Sequence, residues 1–420
     1  HAAGSGPEVE REVIRAMMML RLSTLATGRT GVRPETAQAY AAMLNAGVTP
    51  VVHEHGSLGC SGDLAPLAHC ALALIGEGPV RDATGQIRDA ADVLEPITLR
   101  EKEGLALING TDGMLGMLIL ALEDLKELFV AADIAAAMSV EGLLGTDRVF
   151  ADDLQRLRPQ HGQAVSARNI RVLLKDSPIV ASHRGPEDRR VQDAYSLRCA
   201  PQVAGAGRDT AHHAALIADR ELEAAIDNPV VTEDGRIESN GNFHGAPLGY
   251  ALDFLAIAVA DLAGMSERRT DRFLDKARSH GLPPFLADDP GVDSGLMIAQ
   301  YTQAAIVSEL KRLAAPASVD SIPSSAMQED HVSMGWNAGR KLRRALDGLA
   351  RVLAIEILTA ARGIRLRAPL QPAPATAAVL AALPGPGPDR FLAPEIKQAV
   401  EFVKSGGARR AAESVTGALT

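Results

Sequence analysis

Residues 56–69 read GSLGCSGDLAPLAH, and the triplet Cys60-Ser61-Gly62 at their centre is the most informative feature of the chain. Gly62 lacks a Cβ, so its amide nitrogen can come close enough to the carbonyl carbon of Cys60 to attack it. Attack closes a five-membered ring, and loss of water from the ring and from the Ser61 side chain leaves a methylene group conjugated to a carbonyl. No ordinary side chain is an electrophile, so such a group supplies chemistry that otherwise needs a cofactor.

The triplet alone leaves other interpretations open. A serine between small residues is more often a simple loop residue than a reactive one. A hydrolase serine is a second alternative, but Gly62 follows Ser61 directly, which differs from the G-x-S-x-G pattern of a nucleophile elbow. A hydrolase would be labelled by a fluorophosphonate, whereas the electrophile would be blocked by borohydride or cyanide. An inactive helical scaffold would keep the triplet uncyclised.

Composition favours a helical protein. The chain has 420 residues, of which 46% are hydrophobic and only 3% aromatic, and this length can bury a large core. Abundant alanine and leucine suit closely packed helices better than a β-sandwich. The net charge is -9, with no marked basic patch, so the composition argues against a nucleic-acid partner.

Cysteine usage and hydropathy indicate a cytoplasmic protein without a metal site. The three cysteines, Cys60, Cys70 and Cys199, are odd in number and widely spaced, which argues against a disulfide framework. There is no CxxC pair of the kind that structural zinc sites use. The apolar stretches 113–122 and 245–260 are ended or interrupted by charged residues, so neither reaches the roughly 18 uncharged residues of a membrane-spanning helix.

Hydrophobic periodicity predicts many helices, several of them long. A short strand pair is predicted around 229–231 and 236–237, and the short Val/Ile segments of 78–97 suggest either a small hairpin or an irregular excursion. Residues after Lys404 are expected to form a frayed tail. The long helices carry apolar residues on more than one side, which favours a bundle shared between subunits. The helical patterns cover 9–27, 34–46, 65–75, 105–139, 147–174, 200–225, 246–273, 295–314, 333–364 and 393–404.

Four further segments carry chemistry-bearing residues. They are GLALINGT at 104–111, VQDAYSLRC at 191–199, GNFHG at 241–245 and QEDHVSM at 328–334. Taken singly, each has a plain structural interpretation: Asn109 as a turn, Tyr195 as a packing residue, Arg198 as a surface ion pair, and Glu329 as part of a helix cap.

Taken together with residues 59–69, these segments resemble, in order and spacing, the aromatic amino acid ammonia-lyases, and most closely the histidine ammonia-lyases. The resemblance implies a mainly α fold, a long-helix bundle of the fumarase/aspartase-like type. Residues 1–145 would form the part that bears the triplet, and residues 146–420 the central bundle and C-terminal helices. It also implies a cytoplasmic homotetramer with shared active sites and a small amino acid substrate, and no nucleic acid, membrane, metal or nucleotide partner.

The implied reaction is elimination of ammonia from an L-aromatic amino acid, most closely L-histidine to trans-urocanate. The implied prosthetic group is 4-methylidene-imidazol-5-one, formed autocatalytically from Cys60-Ser61-Gly62, with Cys60 where the family most often has alanine. By the same resemblance, Arg198 would clamp the substrate carboxylate through two hydrogen bonds. The other implied site residues are Asn109, Gln192, Tyr195 and Glu329 as catalytic or positioning groups, and His1, Phe243, Met327 and Glu329 around the substrate side chain.

The chain departs from the family pattern at several positions. Met327 lies where histidine ammonia-lyases usually have asparagine, and Ala246 where glutamate is common. Both changes lower the local polarity, which keeps phenylalanine or tyrosine ammonia-lyase and an aminomutase open as alternatives, whereas Glu329 favours histidine. The family's catalytic tyrosine belongs to a segment that would precede His1, and none of the four tyrosines here lies in that motif.

Overall fold

The chain is mainly helical. A computed structural model describes residues 1–186, 188 and 190–420. Single 3-10 turns lie at Arg148–Phe150, Pro284–Leu286 and Ser325–Met327. The α-helices are α1 Arg11–Ala26, α2 Pro34–Asn45, α3 Leu64–Leu74, α4 Ala90–Val93, α5 Glu103–Ala106, α6 Asp112–Gly142, α7 Asp152–Arg156, α8 His161–Leu173, α9 Pro178–Ala181, α10 Tyr195–Arg198, α11 Ala200–Leu222, α12 Ala246–Leu274, α13 Met297–Leu313, α14 Gly335–Arg365, α15 Pro374–Ala381, α16 Ala393–Lys404 and α17 Gly407–Thr416.

The strands are short and antiparallel. They are β1 Ser5–Glu8, β2 Thr49–Pro50, β3 His53–His55, β4 Pro79–Arg81, β5 Ile87–Asp89, β6 Val230–Val231 and β7 Ile237–Glu238. β1 pairs with β3, β4 pairs with both β2 and β5, and β6 pairs with β7. In the last hairpin Val230 is opposite Glu238 and Val231 is opposite Ile237. The strand pair predicted around 229–237 is therefore confirmed as β6–β7, and of the two alternatives for 78–97 the structure has the hairpin, β4–β5.

The long predicted helices are confirmed with small shifts at their ends. The expectation of a frayed tail after Lys404 is wrong, because α17 occupies Gly407–Thr416 and packs against α15 and α16. Its buried side chains are only those of Ala408 and Ala412, which lie four residues apart on one face of the helix. So few small apolar residues among charged ones give a weak hydrophobic signal in sequence.

The chain forms two compact units, each assembled from three stretches. Unit 1 comprises 1–122, 213–254 and 315–343. Unit 2 comprises 123–212, 255–314 and 344–420. Neither unit is continuous in sequence, and the division at 145/146 stays a prediction.

Unit 1 is organised around buried side chains of α1, α2 and α3. Met17, Tyr40 and Leu67 are fully buried there. The single tryptophan, Trp336, is also fully buried, and its indole nitrogen donates a hydrogen bond of 2.7 Å to the carbonyl oxygen of Glu54. This contact joins the N-terminal end of α14 to the chain around β3.

Unit 2 contains a fully buried polar cluster around Glu356 of α14. Its carboxylate accepts hydrogen bonds from Ser139 at 2.6 Å, from Ser266 at 2.5 Å and from Nη2 of Arg269 at 2.8 Å. All four residues are at most 1% exposed. Breaking such a buried pair is costly because it leaves an unpaired charge in a low-dielectric interior.

One helix, α12, is long and apolar enough to cross a membrane by length and composition alone, and 61% of its most apolar window is buried inside the protein. Core helices of soluble proteins pass the same test. Within the described part of unit 1, Asp253 of α12 is 1% exposed, accepts a hydrogen bond from Ser318 N and pairs with Lys341.

The Glu356 cluster predicts a large stability difference between two arginine substitutions. Arg269→Ala should lower the free energy of unfolding by about 3–5 kcal/mol, because it leaves the Glu356 carboxylate buried without its cation. Arg156→Ala is the control, since Arg156 pairs with Asp152 at the surface and both side chains are more than 60% exposed. That change should cost at most about 1 kcal/mol in urea unfolding followed by circular dichroism. Equal costs for the two variants would contradict the prediction.

Candidate active site

The Cys60-Ser61-Gly62 triplet lies in the loop between β3 and α3. Two distant segments of unit 1 hold the start of this loop. The carbonyl oxygen of Gly59 accepts hydrogen bonds from the Ser333 hydroxyl at 2.8 Å and from Gly245 N at 3.3 Å. The carbonyl oxygen of Leu58 accepts one from Met334 N at 2.8 Å. The predicted segments 241–245 and 328–334 therefore meet at the triplet loop.

Asp63, directly after the triplet, is fully buried and bonds to the N-terminus of α6. Its carboxylate accepts hydrogen bonds from Gly113 N at 2.9 Å, Met114 N at 3.0 Å and the Ser57 hydroxyl at 2.9 Å. Burial raises the pKa of Asp63 to about 7, against the effect of these three donors. The sequence does not reveal this role. An aspartate before an apolar helical run predicts a cap of the helix that follows it, here α3, whereas the Asp63 side chain caps α6.

Asn109 and Gly110 form the turn that faces the triplet. The Asn109 side-chain nitrogen donates a hydrogen bond of 3.2 Å to the carbonyl oxygen of Ser61. The Gly110 carbonyl oxygen accepts one of 2.7 Å from Asp63 N. In the described part of the chain, the buried side-chain oxygen of Asn109 has no hydrogen-bond partner. This acceptor is available to a group that binds beside Ser61.

Gly62 is required by this packing. Its φ is +80°, and a Cβ at this position would lie 2.1 Å from the carbonyl oxygen of Gly110. Both the left-handed backbone and the close approach of the turn exclude any other residue. No hydrogen bond engages the Gly62 amide nitrogen within the described residues. The amide that would close the ring is thus held in a tight loop with no competing partner, and the residues present fit a ring formed from the triplet.

Glu329 lies beside the triplet. It accepts hydrogen bonds from the Ser61 hydroxyl at 2.8 Å, Ser324 at 3.0 Å and Ser325 at 2.8 Å. Burial raises the pKa of Glu329, but the hydrogen bonds from Ser61, Ser325, Cys60 and Ser324 outweigh it, and the net pKa lies below its usual range. Glu329 is therefore a carboxylate at neutral pH.

The segment before Glu329 has an unusual backbone. Ser325, Ala326 and Met327 all have positive φ values of 51°, 52° and 72°. Non-glycine residues rarely adopt this conformation, and it persists where the surroundings fix it. Here the two hydroxyls of Ser324 and Ser325 bond to Glu329, so the strained turn orients that carboxylate.

The predicted substrate-side residues are more dispersed within unit 1. Phe243 is half-buried, and its neighbour His244 stacks on His331 with ring centroids 5.7 Å apart. Met327 is 67% exposed, and His1 lies exposed before β1. Hydrogen bonds join the triplet to Asn109 and Glu329. Among the described residues, no hydrogen bond or ion pair links the side chain of His1 to the triplet.

Unit 2 carries the remaining predicted residues, Gln192, Tyr195 and Arg198. Gln192 is exposed, and Tyr195 at the start of α10 is 71% exposed. The Arg198 guanidinium lies 4.6 Å from the centroid of the Tyr195 ring, a cation–π geometry. Its Nε donates a hydrogen bond of 3.0 Å to the carbonyl oxygen of Asp193. Within the described residues no hydrogen bond engages the terminal nitrogens of Arg198, and these are the groups that would bind a carboxylate.

Two alternatives can be compared with this geometry. In the described ranges no group of three or more His, Cys, Asp or Glu side chains could hold a metal ion. The Ser61 hydroxyl donates to the Glu329 carboxylate, and none of the described histidines accepts its proton as a hydrolase base would. β3 precedes Ser61, but it is a three-residue strand antiparallel to β1, unlike the strand of a nucleophile elbow.

A sequence model of the family described as "Aromatic amino acid lyase" matches residues 1–384. The chain belongs to this family. It is 66% identical to histidine ammonia-lyase of Streptomyces coelicolor, over 100% of this chain and 84% of that protein. It is 49% identical to histidine ammonia-lyase of Gloeobacter violaceus, over 100% of this chain and 83% of that protein.

Solved structures share the fold of this chain. Tyrosine aminomutase from Streptomyces globisporus matches with a TM-score of 0.93 and 38% identity, over 100% of this chain and 84% of that one. Histidine ammonia-lyase from Trypanosoma cruzi matches with a TM-score of 0.90 and 39% identity, over 99% of this chain and 80% of that one. The predicted family, the mainly α fold and the carbon–nitrogen lyase class are confirmed.

The burial of Cys60 predicts an unreactive thiol. Burial, with a smaller contribution from the nearby Glu329 carboxylate, raises the pKa of Cys60 to about 11. At pH 8 only about one thiol in 1000 is then ionised, and the thiolate is the species that alkylates. Iodoacetamide at pH 8 should modify the partly exposed Cys199 first and leave Cys60 unmodified, as read by peptide mass mapping.

Unfolding in guanidinium chloride is the control, because it should expose all three cysteines to the reagent. Modification of Cys60 in the folded protein at the rate seen for Cys199 would contradict the prediction.

Proposed function

We propose that this chain is a histidine ammonia-lyase, which eliminates ammonia from L-histidine to give trans-urocanate. The contact of the Ser61 hydroxyl with Glu329, 2.8 Å long, carries the proposal, because it joins the would-be electrophile to a carboxylate. Identity of 66% along the whole chain to a histidine ammonia-lyase supports the choice of substrate. Glu329 suits an imidazole or ammonium group, since both can donate hydrogen bonds to a carboxylate.

The prosthetic group is proposed to be 4-methylidene-imidazol-5-one made from Cys60-Ser61-Gly62. It supplies an electrophilic carbon that withdraws electrons from the substrate and so makes ammonia a better leaving group. Asn109 would hold this group through the amide that now bonds to the Ser61 carbonyl oxygen at 3.2 Å. The strict requirement for glycine at Gly62, where a Cβ would meet the Gly110 carbonyl, supports ring closure at this position.

The chain's own residues would bind and orient the substrate. Arg198 would hold the carboxylate with two parallel hydrogen bonds, while Gln192 and Tyr195 position the polar end of the substrate. Glu329, ionised at neutral pH, would accept a proton or a hydrogen bond from the substrate. Phe243, Met327 and His1 are proposed to surround the side chain of the substrate.

We further propose a cytoplasmic homotetramer in which active sites are shared between subunits. Large apolar side chains are exposed on long helices, among them Tyr250 at 48% and Phe254 at 47% of unit 1, and Tyr301 at 58% of unit 2. Exposed groups of this kind are typical of surfaces that other subunits cover. Three cysteines without disulfide bonds are consistent with a reducing compartment.

An aminomutase is the second candidate, and the TM-score of 0.93 to tyrosine aminomutase is the observation that favours it. A lyase releases the unsaturated acid, whereas an aminomutase returns ammonia to the β-carbon. Incubation with histidine, tyrosine and phenylalanine, followed by chromatography of the products, separates the two. Accumulation of a β-amino acid, or of only cinnamate or coumarate, would show that the proposal of a histidine ammonia-lyase is wrong.

Ser61→Ala should abolish activity. Without the hydroxyl no methylene can form, so urocanate release should fall by on the order of 10³-fold or more. Intact mass should show the wild-type chain lighter by two water molecules and the variant at its full calculated mass.

Ser239→Ala is the matched control, because Ser239 is an exposed residue of the same unit whose hydroxyl bonds to the side chain of Asn228. This variant should still lose both water molecules. Full activity of Ser61→Ala would remove the basis of the mechanism.

Arg198→Lys should mainly weaken substrate binding. A lysine cannot form two parallel hydrogen bonds to a carboxylate, and losing one of them should raise KM for histidine by about 10-fold or more. Steady-state kinetics measures this, with Arg148→Lys as a control on an exposed arginine of the same unit. An unchanged KM would exclude Arg198 as the carboxylate clamp.

A further inference from the structure

A buried arginine lies behind the Asn109–Gly110 turn. Arg21 of α1 is 0% exposed and shares the inward face of that helix with Met17, Met18 and Leu25. Placing a guanidinium on an apolar helix face is costly, and apolar replacements of buried charged groups are often neutral or stabilising. Stability of the fold alone therefore does not explain an arginine at this position.

The guanidinium joins two separate segments of unit 1. Its Nη1 donates a hydrogen bond of 2.7 Å to the carbonyl oxygen of Asn109, and its Nη2 donates one of 2.8 Å to the carbonyl oxygen of Ile226. Nη1 also lies 3.4 Å from the Asp112 carboxylate at the start of α6. The planar fork of arginine suits this double contact, whereas the single ammonium of lysine cannot reproduce its geometry.

Because Gly110 has no side chain, it leaves room for the Arg21 guanidinium. A Cβ on Gly110 would lie 2.3 Å from Nη1 of Arg21 and 2.5 Å from the Asp112 carboxylate. On its other side the same turn bonds to the triplet loop, through the Asn109 amide to Ser61 and through the Gly110 carbonyl to Asp63. The turn is thus fixed between Arg21 on one side and the triplet loop on the other.

We propose that Arg21 is a positioning residue for the site. By fixing the carbonyl oxygen of Asn109, it holds the Asn109 side-chain amide in place against the Ser61 carbonyl. Arg21 is fully buried and acts on the site through the Asn109 side chain. This inference rests on the proposed function and adds to it a residue that governs the geometry of the prosthetic group.

The first test compares Arg21→Lys and Arg21→Met with the wild-type enzyme. Turnover of histidine is measured as kcat per chain that has lost both water molecules, so incomplete ring formation does not distort it. We expect kcat to fall by about 10- to 100-fold, since small misplacements of reacting groups have effects of this size. KM should change little, because Arg198 and not Arg21 would hold the substrate.

Arg33→Lys is the matched control. Arg33 also lies in unit 1 and pairs with a buried carboxylate, that of Glu103. Among the residues that the structure describes, no hydrogen bond or ion pair joins Arg33 to the triplet loop. A purely structural role for Arg21 predicts a lower thermal midpoint with kcat unchanged in the folded fraction. That result would overturn the proposal.

A double-mutant cycle with Asn109→Ala provides the decisive test and does not depend on Arg21→Met folding. If Arg21 acts through Asn109, adding Arg21→Lys to Asn109→Ala should change kcat by less than about 2-fold. If the two substitutions instead lower kcat by factors that multiply in the double variant, the proposal is overturned. A wild-type enzyme that releases no urocanate refutes the proposed function itself, whereas an active wild type with multiplicative variants refutes only the role of Arg21.

Discussion

The buried Asp63 carboxylate is the interaction on which the candidate site depends. It accepts hydrogen bonds from the first turn of α6 and from Ser57, so one side chain fixes both ends of the triplet loop and the helix that follows the Asn109 turn. The backbone nitrogen of Asp63 also bonds to the Gly110 carbonyl oxygen at 2.7 Å. Because the Asp63 carboxylate is fully buried, water cannot replace these hydrogen bonds. The carboxylate therefore holds the surrounding backbone in place.

Around Asp63, the site combines a locally unfavourable backbone conformation with hydrogen bonds between residues that are far apart in the chain. Glu329 bonds to the Ser61 hydroxyl although it follows Ser61 by 268 positions in the chain. A turn with three consecutive positive φ values sets the orientation of Glu329. The turn is intrinsically unfavourable, so the serine hydroxyls that bond to Glu329 and the packing of Val332 and Met334 on Cys60 must stabilise it.

Much of the fold could be predicted from the sequence, because a helix that packs on one side imposes a 3.6-residue period that is visible in the residue types. The period identified α12 and α14, and it failed at α17, whose buried face consists of two alanines. The residues of the candidate site were recognisable as separate motifs, but their contacts were not. Nothing in the residue types around Ser325 to Met327 indicates a left-handed backbone, and an arginine in a helix such as Arg21 is usually solvated.

The way the triplet loop is held has a consequence for biosynthesis. Its carbonyl groups accept hydrogen bonds from Gly245, Ser333 and Met334, which all lie far downstream of it in the chain. A nascent polypeptide that stops before Ser333 lacks the contacts made by Ser333 and Met334, so its loop is held by fewer bonds. If ring closure needs the loop in its final geometry, maturation of the proposed enzyme is coupled to completion of translation, and prematurely terminated chains remain chemically inert.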